Sequence, residues 1–183
     1  NLLSRTRIFE IDHPEIIKRK KELVKKRGLS QENLVYCAAD FDDATEEFNM
    51  DWLLKQGIKP GLKTLFIIDG VSYFISAPAF DNVLNIIAQF QSGSELVFDY
   101  AYHEILEGKQ YLGSDQFQSS LKSMGEPIIN GIKENGINAH LNRFNLDIVS
   151  LLSPLDIEKR YLTASNGRSE LPYGFLEIVH ARV

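Results

Sequence analysis

The first half of the sequence repeats one order of elements three times: a short apolar strand, an aspartate, and then a helix. The predicted strands are Arg7–Asp12, Leu34–Ala38 and Thr64–Ile68. Their apolar and β-branched residues are typical of strands buried on both faces. Such strands form a parallel sheet with helices on both sides, because parallel neighbours need a long crossover between them. The order therefore predicts an α/β fold with a mostly parallel sheet.

The helices between these strands have identifiable starts and stops. Pro14 suits the first turn of one helix, and Gly28 follows its basic last turn. A second helix is predicted around Asp51–Gln56, before Gly57. A third begins near Ser76. Apolar side chains recur at helical spacing in the first and third helices: Ile16, Ile17, Leu23 and Val24, and then Phe80, Val83, Leu84, Ile87 and Phe90.

The second half of the sequence is less regular. A fourth strand is predicted at Glu95–Tyr100, and residues 101–132 have mixed polarity, which indicates a partly helical insertion. Long excursions in compact domains are frequently functional, so we expect this one to cover an acceptor substrate and to be more mobile than the sheet. The remaining predicted elements are a helix at Lys133–Leu141, a strand at Leu146–Leu152, a short helix from Pro154 to Leu162 and a strand at Gly174–Arg182. Two consecutive strands without a full crossover helix predict an antiparallel pair at one sheet edge.

Length and composition favour one domain that spans residues 1–183. Cys37 is the only cysteine, which indicates a reducing compartment, and we expect the protein to be cytoplasmic. No apolar run approaches the roughly 18–20 residues that span a bilayer, so we expect no membrane insertion. The net charge of −5 argues against non-specific nucleic-acid binding. The basic run from Lys18 to Arg27 is interpreted as the solvated face and last turn of the first helix.

The three strand-end aspartates are the strongest functional signal. In open α/β sheets, ligands bind at the carboxyl ends of the strands, and Asp12, Asp40 and Asp69 each follow a strand there. We expect them to line one rim of the sheet, where carboxylates accept hydrogen bonds from donor-rich ligands. Asp12 could hold both hydroxyls of a ribose, while Asp40 could accept from an adenine amino group with Phe41 packed on the base. Helix capping is the alternative for each aspartate, and the pattern does not separate a methyltransferase from a nicotinamide-dependent oxidoreductase.

Five blocks carry a more specific resemblance. They are FEIDHPEIIKRK from Phe9, AADF from Ala38, KTLFIIDGVSYF from Lys63, GSELVFDY from Gly93 and GEPIINGI from Gly125. In this order, the blocks resemble the leucine carboxyl methyltransferase-like family of S-adenosylmethionine-dependent methyltransferases, including its bacterial branch. The resemblance implies a Rossmann-like class I methyltransferase sheet, S-adenosylmethionine as cofactor and a small-molecule methyl acceptor. No metal site is expected.

Site residues follow from the resemblance by position. It implies that Asp12 binds the ribose of S-adenosylmethionine and that Asp40 and Phe41 contact the adenine. Asp69 stands where the family usually has a glutamate before Gly-Val or Gly-Leu, followed by a tyrosine, here Tyr73. The resemblance therefore implies that Asp69 contacts the methionine part of the cofactor, with a shorter side chain.

The family also has a first strand and a glycine-rich loop that precede the region where this sequence starts. Nothing in Asn1–Arg7 replaces that loop. We therefore expect the sequence to lack the opening strand and loop, through truncation or through loss of part of the cofactor site. A non-catalytic domain that retains the fold for partner binding is the alternative.

Residues that would contact the methyl acceptor are expected at or just beyond strand ends: Tyr73, Tyr100, Tyr102, His103 and Glu104. A carboxylate or phenolate acceptor needs no strong base, whereas an alcohol does, so no catalytic dyad is required. For the tyrosines the alternative is a place at the edge of the core, and for His103 it is a solvated helix position. We predict O-methyl transfer to a carboxylate or hydroxyl of a small molecule.

Overall fold

A computed structural model describes residues 6–29, 32–43, 48–162 and 173–183 of the chain. These residues fall into two compact units, Asn1–Lys59 and Pro60–Val183. Each unit has its own sheet and is described separately. No helix among the described residues is long and apolar enough to cross a membrane.

The first unit is built on two parallel strands. Its elements are β1 (Ile8–Asp12), α1 (Pro14–Lys26), β2 (Leu34–Ala38) and α2 (Met50–Gln56). The two strands pair in register from Ile8 opposite Leu34 to Asp12 opposite Ala38. The two strands predicted in this part of the sequence are therefore confirmed, as is their parallel direction.

Helix α1 begins and ends where the sequence predicts. The His13 imidazole accepts a hydrogen bond from the Glu15 amide, Pro14 occupies the first turn, and Gly28 follows the helix with φ +63°. Ile17 is the buried residue of the apolar stripe, but Leu23 is 48% exposed, so the stripe is covered only in part. The basic residues along α1 are exposed or half-buried, which confirms a solvated face.

The second unit is a four-stranded mixed sheet with helices. Its elements are β3 (Leu65–Ile68), α3 (Ala77–Ile87), β4 (Glu95–Ala101), a 3₁₀ turn (His103–Ile105), α4 (Ser114–Met124), α5 (Ile137–Asn142), β5 (Asp147–Leu152), α6 (Pro154–Ile157), a wide helical turn (Glu158–Leu162) and β6 (Leu176–Arg182). The strand order is β3-β4-β6-β5. β3 is parallel to β4, while β6 is antiparallel to both β4 and β5. The predicted antiparallel pair is therefore present, with its last strand inserted beside β4.

One face of this sheet packs against α3. Ser76 caps the helix by accepting a hydrogen bond from the Ala79 amide. Phe80 contacts Phe98 of β4 edge to face, with ring centroids 5.4 Å apart. Leu84 is fully buried on the same helix. Burial of side chains of this size stabilises the fold by about 1.5–3 kcal/mol each, so this helix fixes the position of β4.

One predicted helix start in the second half is wrong. The helix predicted at Lys133–Leu141 begins only at Ile137, because Asn135 adopts φ +63° and the Gly136 amide closes a tight turn onto Lys133. Local backbone conformation of this kind is not visible in an apolar pattern. The short helix predicted from Pro154 to Leu162 is confirmed: it is α-helical to Ile157 and continues as a wider helical turn to Leu162.

The excursion of residues 101–132 is partly helical, as predicted, and is anchored at both ends. Tyr102 and Ile132 form a parallel bridge at its base. Gly131 packs so closely there that a Cβ atom on it would lie 2.8 Å from the His103 Cα. A glycine is therefore required where the two ends of the excursion meet.

Candidate functional site

In the first unit, Asp12 and Asp40 follow neighbouring parallel strands. Asp12 is the last residue of β1 and pairs with Ala38, two residues before Asp40. The ladder continues one step further, since the Ala39 amide donates to the Asp12 carbonyl at 3.0 Å. Both aspartates therefore lie at the same edge of this sheet, as the sequence predicts for this pair.

The Asp12 carboxylate is held by two donors. Its Oδ1 accepts from the His13 amide at 2.8 Å, and its Oδ2 accepts from the Lys20 ammonium at 3.1 Å. Lys20 also donates to Glu10, and that hydrogen bond is the main reason why the pKa of Lys20 is raised. The Asp12 side chain is 36% exposed, so it remains accessible to a ligand. Lys20 and His13 are site residues that the sequence reading did not identify.

The Asp40 carboxylate faces the same histidine. Its Oδ1 accepts from the Asp42 amide at 3.0 Å, and its Oδ2 lies 3.7 Å from the His13 Nε2. The Asp40 side chain is 40% exposed. The His13 imidazole, at the start of α1, therefore lies next to the Asp40 carboxylate, which follows β2.

Phe41 forms one end of a row of aromatic rings. Its ring contacts Phe48 edge to face at 4.7 Å, and Phe48 contacts Trp52 of α2 at 5.2 Å. Phe41 is half-buried and directly follows Asp40. A hydrogen-bond acceptor and an aromatic ring, each only partly buried, are therefore adjacent in the chain.

In the second unit, Asp69 is exposed at the end of β3 and is followed by a constrained turn. Gly70 adopts φ +64°, a left-handed conformation that favours glycine. Its amide donates to Asp99 Oδ1 at 2.8 Å, and the Ser72 hydroxyl donates to the Asp99 carbonyl at 2.6 Å. Asp99 of β4 thus holds the turn that begins at Asp69.

The Tyr73 hydroxyl shares the same carboxylate. Tyr73 is buried and hydrogen-bonded to Asp99, and its pKa is raised by burial first and by Asp99 second. The pKa of Asp99 is also raised by burial, an effect that the Gly70 amide opposes. Asp99 was missed in the sequence, where the only signal was an acid that follows three apolar residues within the strand ELVFDY.

Tyr100 and Tyr102 lie in the core of the second unit. Both hydroxyls donate to the Glu177 carboxylate of β6, that of Tyr102 at 2.7 Å. Burial, followed by this contact, raises the pKa of both tyrosines. Their surroundings favour the core position that the sequence left open as an alternative to acceptor binding.

His103 and Glu104 lie at the start of the excursion. The His103 side chain is 39% exposed, and its Nε2 lies 3.7 Å from the Glu107 carboxylate. The Glu104 carboxylate accepts from the Glu134 amide at 3.0 Å. His103 is therefore partly accessible, while Glu104 braces the end of the excursion. Within the described ranges, no group of three or more His, Cys, Asp or Glu side chains is arranged to hold a metal ion.

Comparison with known sequences identifies a methyltransferase family. The family model of leucine carboxyl methyltransferase matches residues 1–88. The chain is also 30% identical over 180 residues to YktD of Bacillus subtilis (strain 168), whose name carries a provisional assignment as an S-adenosyl-L-methionine-dependent methyltransferase. That alignment covers 95% of this chain and 57% of the relative, so the chain spans little more than half of the relative's length.

Comparison with solved structures agrees on the fold. A DUF574 family protein from Streptomyces avermitilis MA-4680 matches 96% of this chain and 64% of its own, with a TM-score of 0.63 and 13% identity. The mitomycin 7-O-methyltransferase MmcR matches 96% of this chain and 41% of its own, with a TM-score of 0.55 and 16% identity. At such identities the likeness concerns the fold, which is the Rossmann-like fold of class I methyltransferases. Residues 1–88 of the chain thus match the leucine carboxyl methyltransferase family, and nearly the whole chain is similar to a relative named as an S-adenosyl-L-methionine-dependent methyltransferase.

Proposed function

We propose that the protein transfers a methyl group from S-adenosylmethionine to a carboxylate or hydroxyl oxygen of a small molecule. The observation that carries this proposal is the position of Asp12 and Asp40 at the carboxyl ends of adjacent parallel strands. Nucleotide-like ligands bind at this end of the strands in open α/β sheets. The match of residues 1–88 to the leucine carboxyl methyltransferase family indicates which nucleoside-containing cofactor to test.

Asp12 binds the ribose in this proposal. A carboxylate has about four acceptor positions, and Asp12 uses two of them for the His13 amide and Lys20. The remaining positions suit the two neighbouring hydroxyls of a ribose. Because Lys20 and His13 already fix the carboxylate, little side-chain freedom is lost when the sugar binds.

Asp40 and Phe41 bind the adenine. The exposed carboxylate of Asp40 accepts a hydrogen bond from the exocyclic amino group, and the half-buried ring of Phe41 packs against the flat base. These residues fit an adenosine, which offers hydroxyl and amino donors together with an aromatic face. Asp69 contacts the methionine part of the cofactor, as its position in the family pattern implies.

The bound cofactor supplies an electrophilic methyl group on a sulfonium. The protein's own residues have to align the acceptor with that methyl group and exclude water. Burial raises the pKa of Tyr73 and of the two Glu177-bound tyrosines, and each of their hydroxyls already donates to Asp99 or to Glu177. We therefore do not assign any of the three as a base. This arrangement suits an acceptor that is already ionised, such as a carboxylate or a phenolate.

Among the predicted acceptor contacts, the three tyrosines are buried, whereas the His103 side chain is 39% exposed. We assign His103 the acceptor contact, because the Tyr100 and Tyr102 hydroxyls are already bonded to Glu177. The excursion of residues 101–132 then covers the acceptor, with its ends tied at Tyr102 and Ile132.

Calorimetric titration of the full-length protein with S-adenosylhomocysteine tests the cofactor site. Asp12→Ala should weaken binding about tenfold or more, because a buried ligand hydroxyl loses a charged acceptor. Glu22→Ala, on the exposed side of α1, is the matched control and should bind as the wild type does. Absence of binding by the wild type, or equal binding by Asp12→Ala, would contradict the proposal.

The same titration and a methyl-transfer assay distinguish the alternatives. A nicotinamide-dependent oxidoreductase would bind NADH in preference to S-adenosylhomocysteine. A non-catalytic domain would show no methyl transfer from labelled S-adenosylmethionine to a panel of small carboxylates, phenols and alcohols.

A further inference from the structure

The turn from Asp69 to Tyr73 is held from two sides within the second unit. On one side, Asp99 of β4 accepts from the Gly70 amide, the Ser72 hydroxyl and the Tyr73 hydroxyl. On the other side stand the last residues of the excursion. Such a turn has few alternative conformations, so it fixes the direction in which Asp69 leaves the strand.

The contacts from the excursion are equally specific. The Ile129 amide donates to the Tyr73 carbonyl at 3.0 Å, and the Asn130 side-chain amide donates to the Ser72 carbonyl at 2.9 Å. Asn130 is buried, and its own side-chain oxygen accepts from the Gly131 amide at 2.9 Å. The turn therefore connects the end of β3 to the segment that closes the excursion.

We propose that Asp99 is a positioning residue for the cofactor site: its carboxylate holds the Gly70 amide and the Tyr73 hydroxyl, and thereby orients Asp69 towards the cofactor. This inference rests on the proposed function, in which Asp69 contacts the methionine part. It adds a residue of the second unit that does not itself touch the cofactor.

A structural requirement alone does not explain an acid at this position. Asp99 is partly buried, and both burial and the nearby Asp69 disfavour its charged form. An apolar residue would be the simpler choice inside this strand. A carboxylate is suited to accepting from a backbone amide and a hydroxyl at the same time, because it offers two oxygens as acceptors. The two contacts to the turn are thus what the acid provides.

Two substitutions at Asp99 separate positioning from folding. Asp99→Leu removes both acceptor oxygens, and it should weaken S-adenosylhomocysteine binding by the full-length protein about tenfold. Asp99→Asn retains one acceptor oxygen for the Gly70 amide and should recover part of that loss. Glu95→Gln, at the exposed opposite end of β4, is the matched control and should bind normally.

Leu84→Ala controls for stability. Leu84 is buried on α3 and is not part of the turn, so its truncation lowers stability while every hydrogen bond of the turn keeps both of its partners. If affinity merely follows stability, Leu84→Ala will lose affinity as Asp99→Leu does, and the inference is overturned. If Asp99→Leu does not fold, Tyr73→Phe removes one contact of the same carboxylate and should weaken binding, whereas Ser72→Ala removes only a contact to the Asp99 backbone carbonyl and should weaken it less.

The outcomes also separate this inference from the proposed function. Wild-type binding with equal affinity in the Asp99 variants would overturn the positioning role and leave the proposed function standing. A wild type that does not bind S-adenosylhomocysteine would overturn both. Partial rescue by Asp99→Asn, with normal binding by Glu95→Gln and Leu84→Ala, would support the assignment.

Discussion

Tyr102 donates a 2.7 Å hydrogen bond to the carboxylate of Glu177, which lies on the antiparallel strand β6 and is itself buried. Tyr100, directly opposite Glu177 in the ladder, donates to the other oxygen. Two neutral donors therefore satisfy a buried acid at the point where β4 leaves the sheet and the excursion begins. The base of the excursion is fixed by this pair of contacts.

Tyr102→Phe should lower the free energy of unfolding by about 1–3 kcal/mol, because it leaves one oxygen of a buried carboxylate without its donor. Urea denaturation followed by circular dichroism measures the change. Tyr161→Phe is the matched control, since Tyr161 is 68% exposed and should change stability little. Equal midpoints for the two variants would show that the Glu177 contact does not contribute.

A second prediction concerns the pH dependence of stability. His140 of α5 is mostly buried, and burial lowers its pKa, an effect that Asp81 opposes and Arg143 reinforces. Because the pKa in the folded state lies below that of the unfolded chain, the unfolded state binds more protons as the pH falls. Stability that is fully present above about pH 6.5 should therefore be lost below it.

The measurement compares urea midpoints at pH 7.5 and pH 5.5 for the wild type and for His140→Gln. The wild type should lose more stability between these pH values than the variant does. His103→Gln serves as the control, since His103 is more exposed and should leave the pH profile unchanged. A wild type that gains stability on acidification would contradict the stated direction.

The strands were the part of the fold that could be predicted most accurately. β2 was predicted at the residues observed, because five consecutive apolar residues between polar segments leave few alternatives. The start of α5 was not predictable, since it depends on the left-handed conformation of Asn135. Half of the apolar face of α1 is exposed. Helical periodicity therefore identifies a helix, but it does not show which part of the molecule covers the apolar face.

The candidate site could be predicted only in part, for a similar reason. The position of Asp12 and Asp40 at one sheet edge follows from two parallel strands that end there, which the sequence pattern indicates. The partners of these carboxylates, Lys20 and His13, depend on side-chain positions that no spacing rule specifies. Asp99 was overlooked because an acid within a strand resembles an ordinary solvent-facing position until its contact with Gly70 is known.

Gly131 offers a direct test of the closure of the excursion. Gly131→Ala should destabilise the protein by about 1–3 kcal/mol, because its Cβ would lie 2.8 Å from the His103 Cα and neither backbone can move freely. Gly61→Ala is the matched control, since a Cβ at that position meets open space. Thermal unfolding of both variants measures the difference. Unchanged stability in Gly131→Ala would mean that the two ends of the excursion separate easily.

The last prediction concerns Lys20, whose ammonium lies 3.1 Å from Asp12 and also contacts Glu10. Lys20→Met keeps the aliphatic length but removes the cation, so Asp12 loses one of its two fixing partners and lies beside an unpaired Glu10. Binding of S-adenosylhomocysteine should weaken by several-fold, about what one hydrogen bond contributes. Lys18→Met, two residues earlier on the exposed face of α1, removes the same charge without touching Asp12 and should bind normally.

Calorimetry at two salt concentrations separates local from long-range effects, because screening weakens the general attraction of the basic helix but not a direct contact. If both variants lose affinity equally, and the loss disappears in high salt, Lys20 acts only through its charge and does not orient Asp12.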